Sequence, residues 1–133
     1  MSIHIYPFSQ TDVQDLVQMH LDNNSPFSNM HLEALPKTGF IVRSHDGKPI
    51  AAGFLRLVEG GTAQLDTLIT NPSMTSQERN DGLDLLVQTL IITAKSMNII
   101  GLMCTSTVQS ILMRSQKYGF TPLKNTVIVL SLI

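Results

Sequence analysis

The feature that most constrains this chain is a change of hydrophobic period in its middle. From Gly39 to Thr70 the apolar residues come in strand-length runs, separated by Asp46-Gly47 and Gly60-Gly61. Both dipeptides favour tight reversals between strands. Gly39–Arg43, Pro49–Leu57 and Ala63–Thr70 are therefore three antiparallel strands, the last stopped by Asn71-Pro72. The period then becomes helical: Leu83, Leu86, Val87, Leu90, Ile91, Ala94 and Met97 share one face. Asn98 to Cys104 returns to a buried strand. A strand, a helix and a strand in this order make a βαβ unit, because parallel neighbours need a crossover between them.

The flanks complete the pattern. Ile3 to Tyr6 reads as a short first strand. Thr11-Asp12-Val13-Gln14 is a capping-box pattern, opening a helix with Val13, Leu16, Val17 and Leu21 on one side. Asn23 to Pro26 breaks it, and a weaker helix spans Ser28 to Leu35. Thr107 caps a further helix bearing Val108, Ile111, Leu112, Ser115 and Tyr118, stopped at Gly119. Thr126 to Ile133 is an almost wholly apolar last strand, expected to be covered on both faces. The order is β-α-α-β-β-β-α-β-α-β, an α/β chain with a mixed central sheet.

At 133 residues, the chain suits a single domain over residues 1–133. With 43% apolar and 14% charged residues it is not a disordered sequence. No apolar stretch reaches about 18 residues, so no membrane partner is expected. Met1-Ser2-Ile3-His4 lacks the basic start of a secretory signal. Cys104, the single cysteine, excludes an internal disulfide and a cysteine-based zinc cage. The expected compartment is a reducing cytoplasm. The four histidines show no ligand spacing, so no metal is expected. The formal charge of −1 argues against nucleic acid as a partner. All ten acids lie at or before Asp84, whereas the rest of the chain carries Lys95, Arg114, Lys117 and Lys124 and no acid. This positive half would suit a small anionic ligand, or is an ordinary lysine-bearing surface.

Several short motifs fall in a telling order. An Asp-Gly turn precedes Ile50-Ala51-Ala52-Gly53-Phe54. Leu65-Asp66-Thr67-Leu68-Ile69-Thr70-Asn71-Pro72 is a strand-length run stopped by Pro72. Arg79-Asn80-Asp81-Gly82-Leu83-Asp84 stands at the entry to the long helix, and Lys117-Tyr118-Gly119-Phe120 closes the next one. In this arrangement the chain resembles the GNAT superfamily of N-acetyltransferases over nearly its whole length. The resemblance implies a sheet whose fourth and fifth strands splay apart, with acetyl-coenzyme A (acetyl-CoA) as the cofactor. The pantetheine arm would bond to backbone at Leu68, Ile69 and Thr70. The diphosphate would meet backbone around Arg79, Asn80, Asp81, Gly82, Leu83 and Asp84. A loop feeding a helix N-terminus offers free N–H groups to an anion. Gly82 would allow close approach, and Arg79 would add a guanidinium. Acids in a first helical turn also stabilise a helix with no ligand at all, and Thr75-x-x-Glu78 is itself a capping box.

Acetyl transfer to an amine needs a base for the amine and an acid for the leaving thiolate. Asp66, in the fourth strand, stands where many GNAT members carry a carboxylate serving as base or water-holder; the other reading is an outward-facing Asp on the alternate strand face. The family's frequent acid is a tyrosine at the position of Ser115, and Tyr118 lies on the same helical face. The catalytic candidates are thus Asp66, Ser115 and Tyr118. Ser25 to Leu35 would line the acceptor cleft, with Phe27, Met30 and Leu35 apolar and Glu33 drawing an amine. The acceptor class is a primary amine of a small molecule or protein, attacked directly on the thioester. Ser115 and Asp84 depart from the family pattern and motivate an alternative, a catalytically inactive GNAT-like binding or inhibitory module. A third reading is a structural subunit whose last strand joins a homodimer sheet.

Overall fold

A computed structural model describes residues 2–24, 32–105, 114–123 and 127–132. The elements are β1 (Ile3–Pro7), a 3-10 turn (Gln10–Asp12), α1 (Val13–Asp22), a second 3-10 turn (Leu32–Ala34), β2 (Thr38–Ser44) and β3 (Pro49–Val58). They continue with β4 (Thr62–Thr70), α2 (Ser76–Ser96), β5 (Gly101–Thr105), β6 (Thr121–Leu123) and β7 (Val127–Ser131). The strands form one sheet in the order β1-β2-β3-β4-β5-β7-β6. Every pairing is antiparallel except β4 with β5, which the α2 crossover joins in parallel.

The two sheet faces carry separate cores. Leu86, Leu90 and Ala94 of α2 bury Val42, Ile50, Ala51, Leu55 and Leu65 on one face. Leu16 and Met19 of α1 cover Ile41, Ala52 and Phe54 on the other. The alternation Val42/Ile41 and Ala51/Ala52 is what divides them, since successive strand residues point to opposite faces.

Four sequence expectations are corrected. The capping box expected at Thr11 and Gln14 is instead made by Ser9 and Asp12 at the 3-10 turn that leads into α1. The Asp12 carboxylate accepts from the Ser9 backbone N–H at 2.9 Å and from Arg43 at 2.7 Å, so an ion pair to β2 fixes the turn earlier. The helix expected over Ser28–Leu35 is a 3-10 turn at Leu32–Ala34, with 28–31 outside the described residues. A strand went unforeseen: β6 pairs with Val127–Val129 although it contains Pro122, which an edge strand tolerates. Finally, β7 is flanked by β5 and β6 over Val127–Val129, so those residues have no free edge to offer a second sheet. Of the helix expected from Thr107, residues 114–116 are helical, and 107–113 lie outside the described residues, as do Thr126 and Ile133.

Candidate active site

The site begins with an irregularity in β4. Phe54 pairs with Asp66 and Ala52 with Ile69, so Gly53 alone faces Thr67 and Leu68. This is a β-bulge. Thr67 takes φ of 56°, a left-handed conformation that a β-branched residue rarely adopts and that costs about 1–3 kcal/mol. The extra residue resets the alternation. Leu65 and Leu68 both join the α2-side core, and Ile69 joins the α1-side core. On its other edge β4 pairs with β5 only at Thr62, Ala63 and Gln64. From Leu65 onward the two strands part. The gap is a cleft of about 390 Å³, walled by Leu65, Leu68, Ile69 and Thr70 of β4, Leu83 and Val87 of α2, and Cys104 of β5. Arg114, Ser115, Tyr118 and Phe120 close it from the C-terminal side.

A charged cluster stands at that closing wall. The Asp84 carboxylate accepts from the Lys117 ammonium at 2.8 and 2.9 Å, from Arg114 at 3.2 Å and from the Tyr118 hydroxyl. Arg114 also donates to the Asn80 side chain at 2.7 Å and to its backbone carbonyl at 3.2 Å. Burial alone would raise the Asp84 carboxyl, but the Lys117 and Tyr118 hydrogen bonds and the two cationic charges outweigh it and hold it low. Burial, then the bond to Asp84 and its charge, push the Tyr118 phenol up to about 12. Burial likewise raises the Cys104 thiol, so the thiolate is disfavoured there.

No family model and no curated protein sequence matches the chain. Solved structures do match. A GNAT-family acetyltransferase from Staphylococcus aureus superposes with a TM-score of 0.78 at 12% identity, over 99% of this chain and 100% of that one. An acetyltransferase from Streptococcus agalactiae gives 0.77 at 12% identity, over 98% of both. An N-acetylglutamate synthase from Neisseria gonorrhoeae, complexed with coenzyme A and N-acetyl-glutamate, gives 0.77 at 17% identity, over 100% of this chain and 36% of that one. The fold is that of the GNAT acetyltransferases. At these identities the likeness is one of architecture, and the splayed β4 and β5 are its expected mark.

Within this GNAT fold the expected diphosphate loop is absent. Arg79, Asn80, Asp81, Gly82, Leu83 and Asp84 all lie inside α2, which begins at Ser76. The physical reason is the Thr75–Glu78 capping box: Thr75 Oγ1 accepts from the Glu78 N–H at 3.1 Å, and Glu78 Oε1 accepts from the Thr75 N–H at 3.0 Å. The Arg79 N–H is already donated to the Thr75 carbonyl at 3.0 Å. The amides of Arg79 to Asp84 are therefore taken up within the helix and not free for an anion, contrary to the expectation. Gly82 has a different reason to be glycine. A Cβ there would lie 2.4 Å from Ile50 Cγ2, so Gly82 lets α2 lie close against the sheet. Arg79 is bonded to the Ser76 hydroxyl at 3.1 Å.

The remaining candidates divide between the two sheet faces. Leu68, Ile69, Thr70, Leu83, Ser115 and Tyr118 are brought together around the cleft. Asp66 is not among its walls. It shares the face of Phe54, where Arg56 pairs with its Oδ2 and the Thr67 hydroxyl donates to its Oδ1 at 3.0 Å. Arg56 in turn donates to the Ala34 carbonyl at 2.8 Å, tying β3 to the second 3-10 turn. A second cavity of about 340 Å³ opens on this side, lined among others by Phe8, Glu33, Leu35 and Phe54. Glu33 and Leu35 thus meet one cavity, whereas Phe27 and Met30 lie outside the described residues. Sequence reading did not single out Leu65, Val87 and Phe120 as cleft walls. It left Arg114 and Lys117 between a site for a small anionic ligand and an ordinary charged surface, although their spacing of three on a helix ending at the Gly-Phe motif was the available signal for a pair. Among the described residues no group of three His, Cys, Asp or Glu side chains is placed to hold a metal, and no helix is long and apolar enough to cross a membrane.

Proposed function

We propose that the β4–β5 cleft takes the pantetheine arm of acetyl-CoA, and that the chain transfers the acetyl group to a primary amine of a small molecule or protein. The observation that carries this reading is the parting of β4 from β5 after Gln64. Parting leaves β4 beyond Leu65 without a strand partner on that edge, where half-buried backbone can pair with the amides of a ligand. A pantetheine arm, with two amides and an otherwise slender aliphatic chain, fits such an edge by strand-like addition. The bulge at Thr67 aims Leu68 and Thr70 toward the same slot.

In the reaction the amine nitrogen attacks the thioester carbonyl carbon, the C–N bond forms and the C–S bond breaks. The amine loses a proton and the departing sulfur gains one. This reading gives Asp66, on the side of the Glu33–Leu35 cavity, the amine's proton. Ser115 or Tyr118, both in the cleft wall, donates the proton that the sulfur gains. Tyr118 holds its proton at neutral pH, and its bond to Asp84 makes it a reluctant donor. Most of the rate enhancement would then come from holding amine and thioester together.

One observation favours a second reading, a GNAT-fold binding or inhibitory module without turnover. The amides of Arg79 to Asp84 lie within α2, and Asp84 already holds Arg114, Lys117 and Tyr118. Calorimetry with acetyl-CoA, followed by release of free thiol on a panel of primary amines, separates the two. Binding with turnover supports the transferase. Binding without turnover on the whole panel supports the module. No heat at millimolar acetyl-CoA overturns both.

A further inference from the structure

With the Arg79 to Asp84 amides taken up in α2, the described donors that converge beside the cleft are those at Asp84. Three donors of different kinds converge there: the Arg114 guanidinium, the Lys117 ammonium and the Tyr118 hydroxyl. Their common acceptor is a single carboxylate, the last acid in the chain. Two cations against one anion leave the cluster with an excess positive charge. Arg114 Nε is buried with no acceptor among the described residues, so the guanidinium has donor capacity to spare. Arg114 and Tyr118 both belong to the wall of the cleft, and the Lys117 side chain is 55% exposed beside them. A guanidinium, an ammonium and a hydroxyl around one oxyanion is the donor set that a phosphate takes.

We propose that Arg114 and Lys117 form the phosphate-binding pair for the ligand of the cleft, and that Asp84 occupies this pair in the free protein as an internal counter-anion. The ligand's diphosphate displaces the Asp84 carboxylate rather than settling on a backbone loop. Asp84 is then a brake on binding: the diphosphate must compete with a carboxylate that is covalently present at every moment. This deepens the acetyl-CoA reading and rests on it for the identity of the ligand, although the anion site stands on its own residues.

The test uses three probes by calorimetry: acetyl-CoA, S-acetylpantetheine, which lacks the diphosphate, and inorganic pyrophosphate. The variants are Asp84→Asn, which keeps the shape of the plug without its charge, and Lys117→Met. Circular dichroism and thermal melts confirm that each is folded. Asp84→Asn is expected to tighten acetyl-CoA and pyrophosphate about tenfold, and Lys117→Met to weaken both by a similar factor. Neither should move S-acetylpantetheine. Added salt should weaken pyrophosphate binding steeply, as for any exposed ionic contact. If acetyl-CoA and S-acetylpantetheine bind but both variants leave every affinity unchanged, the phosphate pair is wrong and the cleft reading stands. If pyrophosphate responds as expected but S-acetylpantetheine never binds, the cleft reading fails and the anion site stands. If no probe binds either variant or the native chain, both are overturned.

Discussion

At Gly82 the sequence pointed to a ligand and the structure points to packing. The Gly sits in a motif resembling a phosphate loop, yet its missing Cβ is filled by Ile50. Gly82→Ala gains helix propensity, about 1 kcal/mol, but the clash with Ile50 costs about 1–3 kcal/mol. The expected outcome in urea unfolding is a net loss of stability. Ile50→Ala should partly relieve it, so that the double variant is less destabilised than the sum of the singles. Asp66 shows the limit of residue reading differently: the sequence left open whether it faced a cofactor or away from it. The unbroken β3–β4 register sets its face, with Asp66 opposite Phe54, and the bulge after it, which nothing in Leu65 to Thr70 announces by composition, turns Leu68 and Thr70 into the cleft. Thr67→Gly should stabilise or leave stability unchanged, because glycine adopts the left-handed φ without strain. His20, 4% exposed on α1, is pushed down by burial to about 4. Its folded value lies below its ordinary one, so its contribution is present above pH 6.5 and is lost as pH falls from 6.5 toward 4. Stability measured across that window should drop by ~2 kcal/mol, and His20→Gln should flatten the drop.

Among the elements, the meander and the βαβ unit were legible because their signals are local. Asp46-Gly47 and Gly60-Gly61 turn the chain where β2, β3 and β4 reverse. The helical period after Pro72 gives α2, and the parallel β4–β5 pairing follows from the crossover. The competing start signals of α2 were also legible: the Thr75–Glu78 box and the Arg79–Gly82 motif could not both begin it. The capping box wins because it satisfies two amides with short local bonds. Thr75→Ala should therefore cost about 1 kcal/mol in stability. The amides of Arg79 to Asp84 should be protected from hydrogen exchange in the free protein; exchange at the rate of an open loop would contradict the continuous helix. The short β6 was illegible, since its pairing to β7 is tertiary and its Pro122 argues against a strand taken alone.

At the scale of the whole molecule, the described residues form a cleft between β4 and β5 and a cavity against Phe54 of β3. Leu65, Leu68 and Thr70 line the first, whereas Asp66 pairs with Arg56 on the face of Phe54 and lines neither. The sequence resemblance anticipated this splay, but not that the C-terminal Arg114 and Lys117 would close the cleft wall around Asp84. Those contacts join positions 30 and 33 residues apart, which no local pattern encodes. Cys104, the single cysteine, lines the cleft and gives a reporter inside it. The most direct measurement is the rate of Cys104 alkylation, followed by mass spectrometry, with and without acetyl-CoA. At a cofactor concentration ten times its dissociation constant, the rate should fall about tenfold. An unchanged rate under saturating acetyl-CoA would contradict the placement of the cofactor between β4 and β5.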